Sequence, residues 1–314
     1  MRISTSEFQR QAVQAMQDNQ ARLAKTQLQV ATGRRILTPS DDPAGARRIL
    51  ELRQTIEQQR QYQRNGDAAL DRLSLEESAL EGVTTALQRV KELAVKAGGG
   101  TLGAADRAAI ATEVSEVLSE VLALANTRDA GGDYLFAGYR VDAAPFESST
   151  AGGTTTFSYR GDESGRRIQV GPSLRVVSAD SGQSVFVDVP TQAGGTRDLL
   201  STVQSLVDAL QGAASGTLDE AGYRSQFAAS QDDLDLALEH VLTVRASVGA
   251  RLSQVEDQQA MAAEFELYAK DSLSALEDLD YAEATGRLQL QLTILQASQQ
   301  AFASVQGLSL FHYL

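Results

Sequence analysis

A chain of 314 residues, 42% of them hydrophobic and with a net charge of −13, is long enough for two or three modest domains with buried cores and too apolar for a disordered acidic polymer. The acidic balance argues against nucleic acid as the main partner, and no run of about 18 apolar residues is present to span a bilayer. Cysteine and tryptophan are both absent, which removes disulfides, thiol nucleophiles and thiolate metal sites together and is compatible with export in an unfolded state.

The first ten residues lack the apolar core of a secretory signal, and by these signs alone the chain reads as cytoplasmic. From Phe8 to Val30 the residues are mostly helix formers without Gly or Pro. Met16, Leu23 and Val30 stand seven apart, with Ala12, Asn19 and Thr26 on the second seam line. So thin and polar-tinged a stripe makes a helix that needs a partner. Residues 1–64 hold 11 Lys/Arg against 6 Asp/Glu, and the remainder 17 against 35. This asymmetry either draws the two ends together, within the fold or between subunits, or reflects differently charged solvated faces.

Thr32 to Ala46 is a stop, an elbow and a restart. Gly33 suits the left-handed cap of a helix, and Pro39 pushes Thr38 out of the helical region. Ser40, Asp41 and Asp42 offer side-chain oxygens to the free N–H groups of a new helix, and Pro43 fits its first turn. Beyond it, Leu73, Leu80, Leu87 and Ala94 repeat at seven with Val83 and Val90 alongside, until Gly98, Gly99 and Gly100 end the helix. Ile110, Val114, Val117, Val121 and Leu124 mark a second seam, and Leu234, Leu238, Val241, Val248, Leu252 and Val255 a third that Arg245 interrupts. These segments predict antiparallel helices packed side by side.

Between Gly131 and Gly195 the period changes to two. Strands are predicted over Thr154–Tyr159, Arg166–Val170, Leu174–Val177 and Ser184–Val189, with helix returning over Asp198–Gln211. Near the end Tyr281, Leu288, Leu295 and Phe302 again stand seven apart, with Leu292 at a neighbouring seam site. The tail closes on Leu310, Phe311, His312, Tyr313 and Leu314, an apolar run that calls for burial.

The predicted fold class is mainly α: an elongated antiparallel helical bundle or coiled coil with paired terminal helices and a small inserted β domain. Three parts are expected: 1–40 with 275–314 as a terminal coiled coil, 41–133 with 196–274 as a helical rod, and 134–195 as the β insertion.

Chemistry is sparse. His240 and His312 are the only histidines, and neither a zinc-protease motif nor a nucleophile elbow is present. Gly98–Gly103 satisfies G-x-G-x-x-G, but a dinucleotide site requires a strand before it, where a helix is predicted. Arg160-Gly161-Asp162 matches a three-residue adhesion motif, yet Gly-Asp is foremost a turn. Asp41-Asp42 is better explained as a cap than a cation site, and Asp232-Asp233, Glu256-Asp257 and Asp278 with Asp280 lie on charged helix faces. No catalytic, cofactor or metal site is predicted, and the chain reads as a non-enzyme.

Five segments carry a resemblance. Arg34 to Gly45, with its Leu-Thr-Pro-Ser-Asp-Asp-Pro core, resembles the elbow shared by flagellins and hook-associated proteins. Tyr134 to Tyr139 resembles the Leu-Phe-(Ala/Gly)-Gly segment of the hook-associated protein 3 family. Met1 to Thr5, Leu308 to Leu314, and Val244 to Leu252 are similar to that family's two ends and returning rod helix. The resemblance implies a structural subunit of the extracellular bacterial flagellum at the hook–filament junction, between hook-associated protein 1 and flagellin. It further implies self-association into a ring, export through the flagellar type III route without a cleaved signal, and a cytoplasmic chaperone on the C-terminal segment. In such a subunit the terminal helices form an inner tube, with Met16, Leu23, Val30, Tyr281, Leu288, Leu292, Leu295, Phe302, Leu310 and Phe311 as interface candidates. A flagellin filament subunit and a secreted adhesin using the β domain are the alternatives.

Overall fold

The computed structural model describes residues 5–99, 102–151 and 154–311. Among the described residues six long helices carry the fold: α1 (Thr5–Thr32), α2 (Pro43–Ala97), α3 (Ala104–Ala125), α4 (Leu199–Ser215), α5 (Glu220–Glu277) and α6 (Tyr281–Phe311). Between α3 and α4 lie the short strands β1 (Phe146–Ala151), β2 (Thr154–Tyr159), β3 (Arg166–Gln169), β4 (Arg175–Ala179), β5 (Val189–Pro190) and β6 (Thr196–Arg197). The fold is mainly α with a small β region, as the two periodicities predict. The chain divides into two compact units, Met1–Gln59 with Glu264–Leu314, and Arg60–Ala263.

In the larger unit α2 and α5 run antiparallel. Tyr223 Oη donates to the carbonyl of Ala97 at 3.3 Å, Lys91 pairs with Asp235 at 2.7 Å, Arg245 with Glu77 at 2.6 Å, and Gln259 Nε2 donates to Asp67 at 2.7 Å. The sums of those paired numbers stay nearly constant, as antiparallel partners require. The α2 seam lies wholly inside: Leu73, Leu80, Val83, Leu87, Val90 and Ala94 are all 0% exposed. Helix α3 comes back along α2, tied by Arg89–Glu113 and Arg72–Asp129, and packs on α4. Asp198 caps α4, its Oδ1 accepting the Ser201 N–H at 2.7 Å. Among the described residues, the segment preceding the glycines of the G-x-G-x-x-G pattern is α2, so the strand that a dinucleotide site needs is missing.

Among the described residues the β insertion holds three antiparallel pairs, β1–β2, β3–β4 with a bulge between Arg166 and Arg167, and β5–β6. An aromatic cluster holds it: Phe136 meets Phe186 edge-on at 5.0 Å, and Phe146 packs on Phe186 and Tyr159 at 5.4 and 5.1 Å. Strand β1 was not signalled by the sequence, its burial pattern being one apolar residue followed by five exposed ones. The strand predicted over Ser184–Val189 is replaced by a helical turn at Gln183–Val187, followed by the two-residue β5. The consecutive residues Val185 and Phe186 are both 0% exposed, and a strand would send them to opposite faces. Arg160-Gly161-Asp162 forms the turn after β2. A side chain at Gly161 would strike the Tyr159 hydroxyl and the ring edge beside it, and the Asp162 N–H donates to the Ala137 carbonyl at 3.0 Å.

In the smaller unit α1 packs along α6. The start of α2 and the end of α5 share a small core of Leu52, Ile56 and Ala269, against which Leu273 and Leu276 are packed.

Candidate functional site

Gly33 ends α1 with φ +70°, its N–H donating to the Gln29 carbonyl at 2.8 Å. The Tyr281 hydroxyl lies over it, in the space a side chain would need. Of the three proposed caps for α2, only Asp42 performs that role: its Oδ1 accepts the Gly45 N–H at 2.9 Å, with Pro43 in the first helical position. Asp41 instead folds the elbow. Its Oδ2 accepts the N–H groups of Leu37 and Thr38 at 3.2 Å, and its Oδ1 pairs with Lys25 Nζ at 2.6 Å, holding the carboxyl below the usual carboxylate range. Ser40 Oγ lies 2.8 Å from Thr38 Oγ1, and Pro39 sits in the turn that the Asp41 N–H closes on the Thr38 carbonyl at 3.0 Å. Cap and elbow are separate tasks given to neighbouring aspartates.

The elbow meets a second break that the sequence reading missed. Helix α5 ends at Glu277 and α6 begins at Tyr281. Asp280 restarts the chain, accepting the Ala282 and Glu283 N–H groups at 2.9 and 3.1 Å. Asp278 and Asp280 thus form a joint rather than a charged helix face, and the Asp-x-x-Glu spacing from Asp280 to Glu283 was the available signal. The two breaks are stitched together: the Arg35 N–H donates to the Glu277 carbonyl at 2.8 Å and the Leu279 N–H to the Gly33 carbonyl at 2.9 Å. The Glu277 carboxylate, nearly buried, receives Arg34 Nε at 2.7 Å and Arg53 Nη2 at 2.6 Å, while Arg35 caps the Leu276 carbonyl at 3.0 Å.

Beyond the joint runs the terminal seam. On α1, Leu23, Thr26 and Gln29 are buried, and Met16 and Val30 half-buried. On α6 the inward line passes through Ala284, Leu288, Gln291, Leu295, Ser298 and Phe302, only Ala284 being fully enclosed. Three of the expected stripe residues, Leu288, Leu295 and Phe302, lie on that line. Tyr281 and Leu292 do not: they are 53% and 41% exposed. Tyr281 opens the helix, so its spacing of seven continues no turn, and the second seam line is taken by Gln291 and Ser298. Leu310 and Phe311 end α6, and their side chains lie outside the described residues, as do His312, Tyr313 and Leu314.

Turned away from that seam, α6 carries a second apolar line that the heptad count did not register. Leu290 and Ile294 are 61% and 40% exposed, and the exposed Ala297 and Ala301 continue the same face at spacings of four and three. Of the fourteen large apolar side chains left exposed among the described residues, ten belong to the smaller unit, which holds about a third of the chain. Among the described residues no group of three or more carboxylate or histidine side chains is placed to hold a metal ion, and no helix is long and apolar enough to cross a membrane.

Residues 3–141 match the bacterial flagellin N-terminal helical region and residues 232–314 the bacterial flagellin C-terminal helical region. The chain is 34% identical to flagellar hook-associated protein 3 of Salmonella typhimurium, over 99% of each chain. The chain belongs to the flagellar hook-associated protein 3 family. The Escherichia coli K12 member is likewise 34% identical over 99% of both chains. In fold it is similar to the flagellar junction protein of Legionella pneumophila, with a TM-score of 0.62 and 20% identity over 75% of this chain and all of that one. As a member of this family, the chain is a structural component of the bacterial flagellum, at the hook–filament junction. Its association is with hook and filament components, and its relatives are structural flagellar proteins.

Proposed function

We propose that this subunit joins the hook-associated ring to the filament by docking the outer face of its terminal helix pair against neighbouring subunits. The observation that carries this reading is the second apolar line of α6, Leu290–Ile294–Ala297–Ala301, exposed on a helix whose other face is already used by α1. A helix apolar on two sides is built for two partners, one inside the chain and one outside. Met16, Leu23, Val30, Leu288, Leu295 and Phe302 hold the pair together. Leu292 and Tyr281 are available to neighbours, and Leu310 and Phe311 extend the same helix.

In this reading 1–40 with 275–314 forms the inner tube, 41–133 with 196–274 the surrounding rod, and 134–195 the outward insertion. Copies close into a ring between hook-associated protein 1 and flagellin. The chain reaches the outside of the cell by flagellar export without a cleaved signal, and a cytoplasmic chaperone shields the C-terminal segment beforehand. The chemistry is assembly, with neither catalysis nor a cofactor required.

The test is Leu290→Asp combined with Ile294→Asp in the full chain. Unchanged thermal unfolding with lost incorporation into flagella and lost motility is the expected result. Normal incorporation of the folded double variant would overturn the reading. Deleting residues 303–314 is expected to leave the larger unit folded while also abolishing incorporation.

A further inference from the structure

Glu76 of α2 is the largest charged side chain fully enclosed in the larger unit, at 0% exposure. Its Oε1 accepts the Asp180 N–H at 3.1 Å, and its Oε2 has no partner. Asp180 follows β4, and its carboxylate is taken by Arg251 of α5, Nη1 to Oδ1 at 2.8 Å and Nη2 to Oδ2. Arg251 Nη1 also donates to the Val177 carbonyl at 3.3 Å. One guanidinium therefore faces two carboxyl groups, and its fork is committed to Asp180.

The other polar groups nearby are engaged elsewhere. On α2, Arg72 is held by Asp129 and Asp133, and Glu77 by Arg245 of α5. Arg166 of β3 pairs with Asp133 at 3.1 Å. His240 of α5 sits 2.9 Å from the Ser184 carbonyl, and the Tyr159 hydroxyl of β2 lies 2.9 and 2.8 Å from the carbonyls of Phe136 and Asp162, which share its one proton. Burial pushes the Glu76 carboxyl up to about 8, with the Asp180 charge adding to the rise and Arg251 opposing it.

We propose that Glu76, Asp180 and Arg251 form a proton-held latch that fastens the segment from Ser178 to Val187 onto α2 and α5 and releases it when the buried carboxyl ionises. With the proton on Glu76 the trio is neutral. Without it, the enclosed cluster carries one excess negative charge on an oxygen that no donor reaches, and only water can solvate it. Admitting water means moving the Asp180 turn, because the helices on either side are locked by Leu73, Leu80 and Val248, all 0% exposed. The release is local: the insertion loosens from the helices while the bundle stays packed.

Amide hydrogen exchange on the full chain, corrected for the intrinsic pH dependence of exchange, tests this. Protection of the Asp180 amide and of Gln183–Val187 is expected to fall about tenfold or more between about pH 6 and about pH 9, while Leu80–Val90 keeps its protection. In Glu76→Gln the fall disappears, since the side chain cannot ionise. In Asp180→Asn it disappears for a different reason, because Arg251 becomes free to pair with Glu76 and keeps it charged throughout. Protection in the wild type that stays flat across this range, or a fall that persists unchanged in both variants, would overturn the latch.

Discussion

The seam of α2 and the seam of α6 follow the same heptad rule and bury very different material. Along α2 the seam residues Leu73, Leu80, Val83, Leu87, Val90 and Ala94 have no exposed surface. Along α6 the inward positions alternate between apolar residues and Gln291 or Ser298, and the buried line of α1 likewise includes Thr26 and Gln29. Each leucine fully buried contributes about 2 kcal/mol, so a seam of them holds without outside help. A seam in which every second rung is a polar side chain gains much less per turn, and a two-helix pair of this kind lies near the margin of stability on its own. What the difference teaches is a division of labour: the larger unit contains its own stability, and the terminal pair leaves large apolar side chains such as Leu290 and Ile294 exposed.

The comparison breaks most visibly at the strongest seam. Leu80→Ala is expected to destabilise the main thermal transition by about 2–5 kcal/mol, whereas Leu23→Ala on α1 changes that transition by less than about 1 kcal/mol and shows itself as faster amide exchange within α1. Next in size, Glu277→Ala leaves Arg34 and Arg53 facing an empty position. It is expected to weaken the joint locally by about 1–3 kcal/mol, read as faster proteolysis between Gly33 and Asp42 with the main transition unmoved. Asp42→Ala removes the α2 cap at about 1 kcal/mol, and Asp42→Asn restores most of it, which circular dichroism melts resolve. In the other direction, Gln291→Leu makes the terminal seam resemble the bundle. The Oε1 of Gln291 is buried without a partner, so the change is expected to add about 1 kcal/mol to the pair and raise the helicity of the isolated subunit.

The buried acid offers a check through pH. Glu76 binds its proton more tightly in the folded chain than unfolded, where a glutamate titrates near its ordinary 4.5. Between that value and about 8 the folded state carries the extra proton, so stability falls as pH rises through this window and levels off above it. Glu76→Gln is expected to abolish that slope in denaturant titrations. Asp41 works with the opposite sign: Lys25 depresses its carboxyl, so what the pair contributes at the elbow is present at neutral pH and lost on acidification.

How far the sequence carried depends on how local the signal was. The α2 seam was legible because Leu73, Leu80 and Leu87 repeat a single residue type at one period over several turns. Gly33, Asp42 and Pro43 were legible because a cap is a matter of three or four consecutive residues. Asp41 was misassigned because its partner Lys25 lies on the preceding helix, and propensity rules attach an aspartate to the helix that follows it. The break at Asp278–Asp280 was hidden by the heptad count itself, since Tyr281 falls in step with Leu288 by accident of numbering. Glu76 and Glu277 gave no signal, because each meets partners on segments brought together only by the folded chain. The exposed α6 line gave a weak signal because only Leu290 and Ile294 on it are large, the other two members being Ala297 and Ala301.

The joint between the two helix breaks has a mechanical consequence. Its two backbone hydrogen bonds run in opposite directions, one from the strand of Arg35 to Glu277 and one from Leu279 back to Gly33. Neither strand can slide along the other without breaking both bonds in the same step, so they share a shear load instead of failing in sequence. Tension applied along α1 is thereby divided with the strand that leads into α6. Two interruptions that would each be a weak link in a lone helix act as one riveted hinge.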